Sequence, residues 1–162
     1  MDAVNATVLK VGDKAPNFAL HSDSMTVFQL SDALALGPVL VLFFPAAFTG
    51  TCTTELNEVN NDLEAYSPAT VVGISTDAPF TLAEYRKVNA FKYSLLSDHD
   101  ADVCLAYGSK YDHTFAGMKL SRIAKRSAFV IDRSGIIRYA EVLENASHIP
   151  DLLAIKAILG AL

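Results

Sequence analysis

The chain has 162 residues, 51% apolar and 19% charged, with a formal net charge of −5. That balance supports a sizeable core in one domain, residues 1–162, and excludes a disordered chain, while 13 scattered Lys and Arg argue against a nucleic-acid partner. Two cysteines exclude a disulfide scaffold, no apolar run reaches the roughly 20 residues of a membrane span, and residues 1–10 carry no signal-peptide pattern.

Residues 17–20 read as a short strand, 21–24 as a polar turn, and 26–30 as the returning strand of a hairpin. Ser31 is placed to cap a short helical turn. Residues 38–44 form an unbroken apolar run, the pattern of a central strand covered on both faces. A helix follows from about Thr51. Its apolar stripe is Leu56, Val59, Leu63 and Tyr66, with Glu55, Glu58, Asp62 and Glu64 mostly off it. Residues 70–75 predict a second buried strand, and 79–89 a helix with Asp77 as its cap. A strand at 93–96 and a helix from Asp98 or Asp100 to Tyr107 come next, stopped by Gly108. Residues 110–125 are polar and irregular, the pattern of a surface loop. Residues 127–132 and 136–142 form a hairpin about the turn 133–135, and 149–159 an amphipathic helix. Alternating strands and helices between two hairpins predict an α/β fold: a mixed central sheet, helices on both faces, and an N-terminal β-hairpin extension.

Cys52 stands where a central strand has run out and the next helix has begun. The carboxyl end of a central strand is where open α/β sheets place their sites. A cysteine in a helix's first turn faces free backbone N–H groups and the positive dipole end, which favour thiolate over thiol. Free cysteines are also common as buried filler. Here the neighbours are small or hydroxylated (Ala46, Ala47, Thr49, Gly50, Thr51) rather than an apolar stripe, so Cys52 is a candidate nucleophile.

The spacing Pro45-x-x-x-Thr49-x-x-Cys52 resembles the active-site signature of the peroxiredoxins, thiol peroxidases of the alkyl hydroperoxide reductase and bacterioferritin-comigratory type on a thioredoxin-like fold. The resemblance covers most of the chain: Gly12-x-x-Ala15-Pro16-x-Phe18, Gly73-Ile-Ser75, Leu96-Ser-Asp98, Ala106-Tyr-Gly108 and the run from Arg126 to Asp132 follow in order. It implies that Cys52 attacks a peroxide O–O bond and becomes a sulfenic acid, with no cofactor. Thr49 would align the peroxide through its hydroxyl. Arg126 would supply a fixed cation and donors to the developing charge. Pro45 would pack over the sulfur and limit water, and Glu55 would orient Arg126. Taken singly, Thr49 could equally cap the helix, Glu55 be a solvated first-turn acid, and Arg126 a surface charge. The implied partners are hydrogen peroxide or organic hydroperoxides, an external thiol reductant (a thioredoxin-like protein or a low-molecular-weight thiol) and a second copy in a homodimer. A cytoplasmic location is expected.

Some members of that family carry a resolving cysteine five positions after the peroxidatic one, where this chain has Asn57. Cys104 keeps apolar company in Val103, Leu105 and Ala106, which suits a structural role and leaves a resolving one open. A thioredoxin-like dithiol oxidoreductase would need a second cysteine close after Cys52, where Thr53, Thr54 and Glu55 stand. A binding or chaperone module on the same fold also stays open. Phe43, Phe44 and Phe48 flank Cys52 in sequence, and they, with Met118 and Leu120, serve either as core or as an apolar mouth. His21, His99, His113 and His148 show no ligand spacing, so no metal site is expected.

Overall fold

The apolar run at the centre of the chain is the axis of the fold in a computed structural model that describes residues 8–162; most of residues 1–10, read above for a signal peptide, lies outside it. All five residues of β3 (Val39–Phe43) are buried. This strand pairs in parallel with β4 (Thr70–Ser75) and antiparallel with β8 (Ser127–Ile131). β4 continues in parallel to β5 (Ser94–Ser97), which meets β1 (Ala19–Ser22) and, beyond it, β2 (Val27–Gln29). On the other side β8 pairs with β9 (Ile137–Val142). The described residues thus form a seven-stranded mixed sheet in the order β2-β1-β5-β4-β3-β8-β9.

Alternation along the strands divides the core in two. Val39, Val41 and Phe43 join Phe129, Ile131 and Tyr107 on one face, under α1 (Leu30–Leu34) and α4 (Asp102–Ala106). Leu40, Leu42 and Phe44 join Ala128 and Val130 on the other. That second face is covered by α2 (Gly50–Asn61), α3 (Pro79–Asn89) and α5 (Leu152–Gly160), which supply Leu56, Val59, Leu82, Tyr85, Ile155 and Leu159. Among the described residues no helix is long and apolar enough to cross a membrane.

Several local expectations are corrected by tertiary contacts. β1 runs on through His21 and Ser22 because both pair with β5, against their polar composition. Ser31 does not cap α1: the helix already begins at Leu30, and the Ser31 amide donates to Asn17 Oδ1 at 3.1 Å. Asp77 does not cap α3, whose cap residue is Ala78 with no side-chain bond. α4 starts only at Asp102, yet Asp98 still serves it, accepting from the amides of Val103 (3.1 Å) and Cys104 (2.7 Å). The apolar stripe of α2 ends in a separate 3-10 turn, Leu63–Tyr66. α5 begins after Asp151, whose carboxylate accepts from the Ala154 amide. The supposed loop 110–125 contains a small hairpin, β6 (Thr114–Phe115) and β7 (Met118–Lys119). Its turn residues Ala116 and Gly117 both take positive φ, the geometry a two-residue hairpin demands. Met118 on it is exposed rather than core.

Candidate active site

The site begins where β3 stops. The Phe44 amide donates to Ile74 O, holding the chain to the sheet as it turns into residues 45–49. Thr49 is the extended cap residue of α2, but its Oγ1 accepts from no helix amide and instead donates to Ala46 O at 2.7 Å. The first bond into α2 is made by the Thr53 amide to Thr49 O, so the N–H groups before it, that of Cys52 included, precede the helical ladder. Cys52 is 1% exposed and opens onto a cavity of about 260 Å³ whose lining includes Pro45, Thr49, Gly50, Arg126 and Ala146.

Arg126 enters from just before β8 and is buried. Its Nη2 donates to Cys52 Sγ at 3.2 Å and to Ala146 O at 3.0 Å, while Nη1 donates to Glu55 Oε2 at 2.6 Å. A buried guanidinium survives only if paired, and Glu55, itself fully buried, supplies the charge. Burial pushes the Glu55 carboxyl up to about 7, with the Arg126 charge pulling the other way. Burial alone would lower Arg126, but the negative charges of Glu55 and Cys52 outweigh it and raise it. Two atoms of this pair, Glu55 Oε1 and Arg126 Nε, have no hydrogen-bond partner among the described residues. Glu55 is therefore neither off the buried face of α2 nor solvated, because a partner far away in sequence occupies the place of water.

The five residues Pro45, Thr49, Cys52, Glu55 and Arg126 come together in one place. Cys104 does not. It is buried under the opposite face of the sheet, where Sγ donates to Ala101 O, and burial together with the charge of Asp98 pushes its thiol up. Phe43 likewise points to that far face, Phe44 packs on the Cys52 side, and Phe48 is 54% exposed with its ring 5.0 Å from that of Tyr85. The Ala146 carbonyl carries no side-chain signal that sequence reasoning could use. Phe115, which also borders the cavity, sits in the hairpin read as irregular loop. Among the described residues no three His, Cys, Asp or Glu side chains gather as metal ligands.

The AhpC/TSA family profile matches residues 11–140. Alkyl hydroperoxide reductase E of Mycobacterium tuberculosis is 37% identical over 140 residues, covering 83% of this chain and 86% of its own. Peroxiredoxin Bcp of Escherichia coli is 34% identical over 133 residues, with coverages of 81% and 84%. Among solved structures, peroxidoxin BcpB from Mycobacterium tuberculosis superposes with a TM-score of 0.82 at 33% identity, covering 95% of this chain and 98% of that one. A thioredoxin-like sheet with a buried cysteine and arginine at its carboxyl edge accords with these matches: the chain belongs to the AhpC/TSA family of peroxiredoxins.

Proposed function

We infer that the chain is a thiol-dependent peroxidase, a single domain in which Cys52 is the nucleophile. The observation that carries this reading is the 3.2 Å contact from Arg126 Nη2 to Cys52 Sγ at the start of α2, which sets a buried cationic donor beside the reacting atom and has no evident use in a packing role. The sulfur attacks the terminal oxygen of R–O–O–H; the S–O bond forms, the O–O bond breaks, and Cys52 is left as sulfenic acid with RO⁻ departing. Charge growing on the departing oxygen meets Arg126 and the Cys52 amide, which has no acceptor among the described residues. The proton the thiol released on ionising, exchanged through water, converts RO⁻ to alcohol or water. Thr49 Oγ1 has its proton committed to Ala46 O, which leaves lone pairs to accept from the peroxide O–H. Pro45, buried and lining the same cavity as the sulfur, limits water, and Glu55 holds the guanidinium in place.

The sulfenic acid then condenses with a thiol from outside the chain, releasing water, and a second thiol displaces the mixed disulfide to return Cys52. An external reductant is favoured by Cys104's position beneath the other face of the sheet. A dithiol exchange mechanism is disfavoured for the same reason. Organic hydroperoxides are supported as substrates, beside hydrogen peroxide, by a groove of about 550 Å³ in which Tyr111, Phe115 and Ala116 offer apolar surface beside Thr114, Glu144 and Asn145. It meets the Cys52 cavity at Phe115 and Ala146. A homodimer is supported by the exposed aromatic rings of Phe48 and, in the first turn of α3, Phe80. The need for an external thiol fits a reducing, cytoplasmic setting.

Turnover of hydrogen peroxide by the purified chain with excess dithiothreitol tests this function. Continuous peroxide consumption supports it, and none above the thiol background contradicts it.

A further inference from the structure

We propose that Asp77 is a positioning residue for the peroxide-aligning segment 45–49, an inference that rests on the peroxidase reading. Among the described residues, that segment makes one side-chain hydrogen bond to an element other than α2: the Ala47 amide donates to Asp77 Oδ2 at 2.8 Å. The acceptor is itself held on three sides. Ser75 Oγ donates to the same Oδ2 at 2.6 Å, the Asp77 amide donates to Ser75 Oγ at 3.2 Å, and Ser97 Oγ donates to Asp77 O at 2.7 Å. Asp77 thus joins the ends of β4 and β5 to the turn that follows β3, and a carboxylate makes that joint stronger than a neutral acceptor would.

The turn needs such a joint. Phe48, the residue after Ala47, takes φ +64°, a conformation that costs a bulky residue energy and persists only where its surroundings over-determine it. Thr49 follows at once, and its hydroxyl is oriented by the carbonyl of Ala46, on the other side of Ala47. Releasing the Ala47 amide would let Phe48 relax and carry Thr49 away from the sulfur. Cys52 would be disturbed less than Thr49, although α2 itself starts on Thr49 O. Arg126, fixed by Glu55 and the Ala146 carbonyl and not by the turn, holds the sulfur from the other side. Asp77 therefore acts on how peroxide is aligned more than on the nucleophile itself.

That division can be measured with two electrophiles. Hydrogen peroxide needs Thr49 in place, whereas iodoacetamide needs only the sulfur. Asp77→Ala is expected to lower the peroxide rate constant by about 100-fold, the cost of an ångström-scale misplacement, with the Cys52 alkylation rate and its pH profile within about twofold of the parent. Asp77→Asn, which keeps an oxygen at that point but no charge, is expected about fivefold below the parent in the ratio of peroxide to alkylation rates. If Asp77→Ala does not fold, the Asn variant decides: the same fivefold fall supports the role, and an unchanged ratio overturns it. Equal losses toward both electrophiles, or no loss toward either, also overturn it. A parent that alkylates at Cys52 but shows no peroxide reaction would sink the peroxidase reading, and the role of Asp77 with it.

Discussion

Cys52 and Cys104 are buried on opposite faces of one sheet, the first among Leu40, Leu42 and Phe44, the second among Val39, Val41 and Phe43. A disulfide requires Cα atoms within about 7 Å, so joining them would mean unfolding the helices that hold them on opposite faces, α2 or α4. Oxidation by one equivalent of peroxide is therefore expected to leave Cys104 as a free thiol. Cys104→Ala should keep turnover with dithiothreitol within about twofold of the parent, since no step passes through that sulfur. Peptide mass spectrometry reads the first point and a steady-state assay the second. A Cys52–Cys104 disulfide in the monomer would refute both.

Arg126 touches sulfur, carboxylate and the Ala146 carbonyl at once, and losing it affects chemistry and stability separately. Arg126→Met is expected to cut the peroxide rate by about 100- to 1,000-fold, the usual cost of losing one charge-stabilising donor. It should also lower the unfolding free energy by about 3–5 kcal/mol, because Glu55 is left buried without its partner. Urea titration and rapid-mixing kinetics check the two figures. Adding Glu55→Gln to it should restore part of the stability and none of the rate.

Glu55 makes stability depend on pH in a stated direction. Its folded value near 7 lies above the ordinary 4.5, so between those limits the folded protein holds a proton that the unfolded chain has released. The resulting contribution is fully present below about 4.5 and is lost as pH rises through about 7. Relative to Glu55→Gln, the parent should therefore lose stability from pH 4.5 to 7 and change little above. Urea unfolding of both proteins across that range measures it. A difference independent of pH would contradict the shifted carboxyl.

Phe115 borders both the Cys52 cavity and the adjoining groove and gives each part of its apolar wall. If alkyl tails lie in that groove, Phe115→Ala should lower the ratio of cumene hydroperoxide to hydrogen peroxide rate constants by about tenfold, as expected when an apolar wall is removed. An unchanged ratio would mean that organic hydroperoxides do not use the groove.

What could be read from the chain alone follows from where each signal resides. β3, β4 and β8 are buried on both faces, and their continuous apolar runs announce them. Cys52 and Thr49 are legible because strand end, turn and helix start lie within a few residues of one another. On spacing alone Glu55 reads as an ordinary helix acid, and only the family resemblance pairs it with Arg126, because its burial depends on that residue, 71 positions away. Asp77 looked like a cap because caps are local, whereas its partner Ala47 is 30 positions back. The β6–β7 hairpin turns on Ala116-Gly117, a far weaker turn signal than Asn-Gly, and so it passed for loop.

The most direct measurement is the fate of Cys52 itself: mix the reduced protein with one equivalent of hydrogen peroxide, trap sulfenic acid with dimedone, and map the adduct by peptide mass spectrometry. The expected result is an adduct confined to Cys52 in the parent, with peroxide consumption abolished in Cys52→Ser. An adduct elsewhere, or a Cys52→Ser variant that consumes peroxide at the parent rate, would contradict the assignment of Cys52 as the nucleophile.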